Sequence, residues 1–273
     1  MGIFARLKMG WSLSMDSLRV LRKQPELALF PLLSGVAGLL FVGLLFGGSL
    51  VLNLFEGVAG YVVLFLFYFG TAFIASFFNA ALVYSARESF EEREPSVKSG
   101  LAAAWRHRTP LFAWAAISAT VGLLLRAIES QDNIVASVVA IFVSVAWSII
   151  TYFIVPVIVF EDVGVREMFT RSGETFKNTW GETAGASFGV GLVTVLFTLV
   201  GVAIAAVLFF TLGSALGGPG VLVAVAVAAV VVVSMFLLSS ALGAIAKTAL
   251  YVYATEGKRP PEFENVDFER TGT

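Results

Sequence analysis

One apolar run, Leu27–Phe55, constrains the fold more than any other feature, because it contains no Lys, Arg, Asp or Glu. An α-helix rises about 1.5 Å per residue, so about 20 apolar residues cross the roughly 30 Å hydrocarbon core of a bilayer. The run is also too long for the apolar region of a signal peptide, and no clear small-residue cleavage site follows it. We therefore expect a retained membrane-spanning helix.

Five further apolar segments follow, so the predicted fold class is an all-α integral membrane protein with six transmembrane helices in a single domain over residues 1–273. The chain is 58% hydrophobic and 14% charged, whereas soluble domains carry about 25% charged residues. Arg126 shortens the third segment, and "GGPG" at 217–220 predicts a tight turn between the last two. The predicted spans are 27–54, 60–86, 109–127, 134–160, 184–215 and 221–254.

The distribution of basic residues predicts the orientation, because loops on the cytoplasmic side carry an excess of Lys and Arg. With the N-terminus inside, the inner segments and the inner end of the last span hold 17 of the 18 basic residues. Both termini are therefore expected in the cytoplasm, with an acidic tail over 255–273 that resembles a solvated charge run.

The segment after the fourth span changes abruptly from apolar to amphipathic. Pro156 lies in the last turns of that span, where it is expected to kink the helix and free a backbone carbonyl. Beyond it, Met168, Phe169, Ser172, Phe176 and Trp180 recur at steps of three or four, with charged residues on the other sides. This pattern predicts an amphipathic helix along the cytoplasmic membrane interface.

Two other segments share this pattern, each with one Trp before a helical hairpin. The first carries Trp11 and the second carries Trp105, and "SG" recurs at Ser99-Gly100 and Ser172-Gly173. One interpretation is a degenerate threefold repeat of interfacial helix plus hairpin. The alternative is that any protein with an inner N-terminus places basic amphipathic segments before its hairpins.

Residues that could carry chemistry are scarce. There is no cysteine, and the one histidine, His107, lies among arginines in "WRHRTP", so no metal site or cofactor is predicted. The net charge of −1 argues against nucleic acid as a partner. No nucleophile in the predicted spans has an evident base, and we therefore expect a protein that is not an enzyme.

A few polar residues in or near the spans are candidates for a pore or a lipid contact, because such residues are costly in a membrane. Arg126 and Glu129 are expected as a pair at the outer interface, or as an outward-facing gate. Lys247 is expected to reach the inner headgroups or to contact a lipid phosphate. Asn53 and Asn79 complete this set.

Two stretches resemble a known family. "GWSLSMDSLRVLRKQPELALFPLLSG" and "YFIVPVIVFEDVGVREMFTRSGETFKNTWGE" are similar to the hallmarks of a prokaryotic and archaeal family of six-helix membrane proteins catalogued only as a domain of unknown function. The second stretch also distantly resembles the membrane domain of some glycerophosphodiester phosphodiesterases. The resemblance implies a multi-pass protein of a prokaryotic plasma membrane and singles out mostly residues at the cytoplasmic interface.

The leading hypothesis is a membrane scaffold or accessory subunit that acts through its cytoplasmic interfacial helices. Its partners would be the bilayer and either another membrane protein or further copies of the chain. The candidate contact residues are Trp11, Trp105, Pro156, Glu161, Arg171, Ser172, Lys177 and Trp180. The alternative is a passive channel or transporter for a small solute, with Asn53, Asn79 and Arg126 along a polar path.

Overall fold

The computed structural model describes residues 3–131 and 133–263. Within that range the regular elements are helices, and two of them are short 3₁₀ helices, Pro25–Ala28 at the start of the first span and Pro261–Phe263 after the last. The α-helices are α1 (Ile3–Lys23), α2 (Leu29–Val51), α3 (Gly57–Phe90), α4 (Val97–Arg106), α5 (Arg108–Glu129), α6 (Ile134–Ile150), α7 (Ile154–Phe160), α8 (Val165–Asn178) and α9 (Trp180–Glu256).

Six segments of the described chain are long and apolar enough to cross a membrane, which confirms the predicted all-α class with six spans. The third extends past Arg126 to the end of α5, and the fifth is shorter than predicted. The segments are Pro25–Val51, Gly57–Phe90, Arg108–Glu129, Ile134–Phe160, Thr194–Thr211 and Val221–Glu256.

The last two spans belong to one helix, α9, which runs for 77 residues and doubles back on itself. The Cγ of Met235 lies 2.8 Å from the position that a Cβ on Gly201 would occupy. In a straight helix these residues would lie about 51 Å apart, so α9 consists of two limbs that pack side by side. The "GGPG" sequence at 217–220, where a turn was predicted, lies between these two residues in the chain, but α9 is helical through this stretch, so the position of the turn stays a prediction.

The fourth span is broken, as predicted, by Pro156. A helix continuing through this position would lose the N–H bond of residue 156 and bring the proline ring against the carbonyl of residue 152. The helix instead ends at Ile150 and restarts at Ile154. The backbone N–H of Phe153, at the break, donates a hydrogen bond to the Oγ of Ser172 in α8 at 3.0 Å.

The buried core lies at one end of the bundle, which we call the basal end; the opposite end is the distal end. The basal end holds the described terminal segments together with α1, α4 and α8. Its core contains side chains from α1, α2, α3, α7, α8 and α9, such as Leu13, Phe30, Leu82, Ile158 and Tyr251. Toward the distal end the spans expose large apolar side chains, including Leu44, Ile134 and Phe210, which would contact lipid.

The amphipathic helices at the basal end pack on the chain's own bundle. In α8 the side chains of Met168, Ser172 and Phe176 are buried, and in α1 Leu13 and Val20 are buried where α1 packs against α9. Phe4 and Leu7, on the predicted stripe of α1, have side chains outside the described residues.

The C-terminal segment is not wholly a solvated charge run, which corrects that prediction for its described part. Phe263 is fully buried and contacts the ring of Phe90 with 5.6 Å between centroids. The carboxylate of Glu262 lies 3.3 Å from the Nζ of Lys23. An apolar side chain that inserts into the core holds these charges against α1; residues 264–273 lie outside the described chain.

The two Ser-Gly dipeptides have different environments, so they give no support to the threefold repeat. A Cβ on Gly100 would lie 2.5 Å from the Oγ of Ser85 and 2.9 Å from the carbonyl oxygen of Ala81, whereas a Cβ on Gly173 would meet no atom within 4 Å. In the second dipeptide it is Ser172 that is buried. In α4 the residue in close contact with its surroundings is Gly100, whereas in α8 it is Ser172.

We predict that Gly100→Ala destabilises the protein by about 1–3 kcal/mol, because the added methyl overpacks a site bounded by backbone. Gly173→Ala is the matched control, and it should be neutral or raise stability by up to about 1 kcal/mol through helix propensity. Thermal unfolding of both variants in the same detergent measures the difference. Equal melting temperatures for the two would contradict the packing described for α4.

The reversal of α9 predicts a short distance between two exposed positions, Val200 and Phe236. A straight helix would separate them by about 54 Å, whereas packed helices lie about 8–10 Å apart. Because the chain has no cysteine, the variant Val200→Cys/Phe236→Cys takes two spin labels without background. Pulsed electron resonance should give a distance below about 25 Å, and a distance near the straight-helix value would refute the two-limb arrangement.

Candidate functional site

Four of the predicted contact residues lie close together at the basal end, around the break in the fourth span. Pro156 and Ser172 are buried, while Glu161 and Arg171 form an ion pair with 2.9 Å between the Oε2 and Nε atoms. The break places α8 against α7. The backbone N–H of Phe153 has no partner in the interrupted helix, and it donates its hydrogen bond to the Ser172 hydroxyl in α8. These four predicted contact residues therefore belong to a single site.

The other predicted contact residues lie outside that group. Trp11 and Trp105 are 51% and 60% exposed, and the guanidinium of Arg108 lies 5.3 Å from the centroid of the Trp105 ring. Lys177 is exposed on α8. Trp180 begins α9, and its side chain lies outside the described residues.

Glu161 connects three helices. It follows the last residue of α7, and the next residue, Asp162, has a φ of +46°, which turns the chain toward α8. Its Oε1 accepts a hydrogen bond of 2.5 Å from the hydroxyl of Tyr251 in α9, while its Oε2 pairs with Arg171 in α8. Because Tyr251 is only 2% exposed, this carboxylate satisfies a hydroxyl that would otherwise be costly to bury.

Arg87, near the end of α3, forms the second node of charge. Its guanidinium contacts the carboxylate of Glu256 at 2.5 Å and that of Glu91 at 3.0 Å. It also lies 4.7 Å from the centroid of the Phe160 ring. The two nodes face a cavity of about 550 Å³, the basal cleft, lined by Arg87, Phe160, Glu161, Arg171, Glu174, Thr175, Asn178, Tyr251, Ala254, Thr255 and Glu256.

The chemistry of the basal cleft is that of paired charges. The carboxylates of Glu161 and Glu256 are each matched by an arginine, and Tyr251 donates to one of them. Within the described chain, no group of three His, Cys, Asp or Glu side chains is arranged to hold a metal ion. These pairs connect α3, α7, α8 and α9 and fix where the exposed side of α8 lies.

Tyr251 and Arg87 are site residues that sequence reasoning missed. Tyr251 is 90 residues away from Glu161 in sequence, and no local pattern signals such a contact. Arg87 follows a run of small residues that are buried in α3, such as Ala80, Ala81 and Ala86. Those small residues were the available signal that this part of α3 packs closely against other helices, and that Arg87 at its end does not belong to a solvated charge run.

The candidate pore residues are split between the two ends. Asn53, Arg126 and Glu129 are exposed at the distal end. No ion pair joins the side chains of Arg126 and Glu129, both of which are exposed; their place at the outer membrane interface stays a prediction. Asn79 and Lys247 instead line a cavity of about 610 Å³ in the basal half.

Two ionisable groups outside the spans are perturbed by burial. Burial raises the pKa of Asp16 in α1 above its ordinary value, although its ion pair with Arg19 at 2.9 Å opposes this. Burial lowers the pKa of His107, the neighbouring Arg106 lowers it further, and Asp162 opposes the change. His107, at the junction of α4 and α5, is therefore favoured as a neutral side chain.

The Glu161–Tyr251 hydrogen bond makes a testable contribution to stability. We predict that Glu161→Gln and Tyr251→Phe each lower the free energy of unfolding by about 1–3 kcal/mol, because the first removes the charge that strengthens the bond and pairs with Arg171, and the second removes the hydroxyl donor. The double variant should lose less than the sum of the two, with a coupling of at least about 0.5 kcal/mol. Glu92→Gln, an exposed carboxylate in the nearby loop, is the control and should leave the melting temperature unchanged. Strict additivity in this cycle would contradict the contact.

Comparison with known proteins gives a family without a function. No curated protein and no solved structure matches the chain. The model of a family of unknown function, DUF6159, matches residues 58–260; this range includes the stretch around Pro156 and Glu161 and excludes the N-terminal stretch that also suggested a family. Since the match covers more than half of the sequence, the chain belongs to the DUF6159 family of unknown function.

Proposed function

We propose that this multi-pass membrane protein is a non-enzymatic scaffold or accessory subunit, and that it binds a partner protein through the exposed side of α8. We call this surface the α8 face; its exposed residues are Val165, Arg166, Glu167, Thr170, Arg171, Glu174, Lys177 and Asn178. The observation that carries the proposal is that the apolar edge of α8 is buried in the protein itself, while its charged side remains open.

The α8 face is held firmly from behind, which favours binding. Ser172 and Arg171 attach α8 to the two ends of α7, at Phe153 and Glu161. Phe169 packs against Trp114 and Trp147, with ring centroids 6.0 and 5.8 Å away. A surface that is already ordered loses little conformational entropy when a partner binds.

The charges of the α8 face favour a protein over a lipid surface. It carries three basic and two acidic side chains, so both signs are interspersed along one helix. An anionic leaflet attracts clusters of Lys and Arg and would repel the two glutamates. A protein surface of matching pattern can pair with both signs, which provides specificity and register.

The charged groups of the basal cleft support a structural role. Glu161 contacts Arg171 and Tyr251, and Arg87 contacts Glu256, so the groups that could transfer protons are engaged in connecting helices. The channel alternative has weaker support, because Asn53 and Arg126 lie at the opposite end from Asn79 and do not share its cavity. With the basal end in the cytoplasm of a prokaryotic cell, as the basic residues predict, the α8 face would meet a cytoplasmic or peripheral partner.

The test is site-specific photo-crosslinking in native membranes. A photoreactive amino acid replaces Thr170, at the centre of the α8 face, and mass spectrometry identifies the adduct. We expect one defined adduct whose yield falls about tenfold or more with Arg166→Glu/Lys177→Glu, since like charges across an interface cost several kcal/mol. Arg171 is left intact because its charge also holds Glu161.

Two controls make this experiment decisive. The same photoreactive residue at Asn53, exposed at the distal end, should not give the adduct, and Arg22→Glu, an exposed charge on α1, should leave its yield unchanged. A lipid-only adduct at Thr170, or a protein adduct that is insensitive to the double charge reversal, would overturn the proposal. An adduct with a second copy of the chain would show that the α8 face binds another copy of this protein and not a different protein.

A further inference from the structure

The second cavity of the basal half is a groove between α2, α3 and the two limbs of α9, and we call it the Lys247 groove. Its volume is about 610 Å³, within the range of roughly 300–1,000 Å³ typical of small-molecule sites. The side chain of Phe236, on its wall, is 69% exposed, so the groove opens sideways toward lipid. The residues that matter here are Asn79, Phe236, Leu237, Ser239, Ser240 and Lys247.

Lys247 brings a positive charge into this groove without a carboxylate to balance it. Its Nζ lies 4.4 Å from the centroid of the Tyr152 ring, and no Asp or Glu of the described chain lies within ion-pair distance of it. A charge within a span is costly unless it meets a partner or reaches the interface. The Tyr152 ring offsets part of this cost, and an anion in the groove would offset more.

Ser239 gives a second, independent indication of a ligand. Its side chain is 6% exposed, and its hydroxyl has no hydrogen-bond partner among the described residues, although it lines the groove. A buried hydroxyl without a partner is unusual and costs free energy. It would be satisfied by an acceptor oxygen of a molecule that occupies the groove.

The order of these residues along α9 matches the order of groups in a phospholipid. Lys247 lies nine residues before the end of α9, about 13 Å from that end. The hydroxyls of Ser240 and Ser239 come about 10–12 Å further toward the distal end, and Phe236 lies beyond them. A phosphate at Lys247, glycerol ester oxygens at the serines and an acyl chain along Phe236 and Leu237 follow the same sequence.

We propose that the Lys247 groove binds one anionic phospholipid, whose phosphate pairs with Lys247 and whose glycerol esters accept hydrogen bonds from Ser239. Basic pockets between transmembrane helices on the cytoplasmic side are known to suit anionic headgroups. The site is separate from the α8 face and does not depend on the partner proposed there. It assigns a ligand to the two candidate polar residues, Asn79 and Lys247, that the structure brings together.

The test compares two lipids with identical acyl chains, phosphatidylglycerol and phosphatidylcholine, by native mass spectrometry of the full chain. We expect the protein to retain one phosphatidylglycerol with about tenfold or higher preference, because both lipids carry a phosphate but the choline of phosphatidylcholine would place a second cation beside Lys247. Lys247→Met should remove this preference, and Lys247→Arg should keep it. Lys98→Met, an exposed lysine on α4 outside the groove, is the matched control and should bind as the unsubstituted protein does.

Three results would overturn the inference: equal retention of both lipids by the unsubstituted protein, an unchanged preference in Lys247→Met, or displacement of phosphatidylglycerol by millimolar inorganic phosphate, which would indicate a site for a free anion. If a variant does not fold, the unsubstituted protein still tests the inference. Its melting temperature in detergent should rise with added phosphatidylglycerol and stay constant with phosphatidylcholine or phosphate.

Discussion

The arrangement of the basal end depends on the hydrogen bond from the backbone N–H of Phe153 to the hydroxyl of Ser172. Pro156 interrupts the fourth span about one helical turn before residue 156 itself. A polar backbone group that is exposed by this break at membrane depth must find a partner in the protein. Because Ser172 supplies that partner, α8 lies across the break, and Glu161 at the end of α7 comes within reach of Arg171. The position of Tyr152, beside the Lys247 groove, follows from the same break.

Two kinds of polar site result, and they differ in how their charges are balanced. In the basal cleft arginines and glutamates balance each other, so the energy of these contacts holds helices together. In the Lys247 groove the positive charge lies near an aromatic ring, serine hydroxyls line the same cavity, and no carboxylate of the described chain pairs with the lysine. The first arrangement is complete without a ligand, and the second gains from an anion. Structural and ligand-binding roles can therefore be separated within one bundle by the pairing of charge.

The sequence predicted what depends on local composition and missed what depends on distant contacts. Hydropathy and length were sufficient for the six spans, because a bilayer imposes a minimum of about 20 apolar residues on each. The break near Pro156 was predictable from the covalent properties of proline. The contact of Glu161 with Tyr251 was not, since it joins residues far apart in the chain. Phe263 looked like part of a charged tail because five of the eleven residues in "PPEFENVDFER" are charged, and only the fold shows that its ring is buried.

The packing of α1 has a consequence for how the protein is made. Its buried side chains rest against the last limb of α9 and the Pro261–Phe263 turn, which follow α1 by about 200 residues in the sequence. Leu13 and Val20 therefore stay uncovered during synthesis until that limb of α9 has been made. A chain that stops before that limb would keep this apolar surface of α1 open to chaperones and proteases.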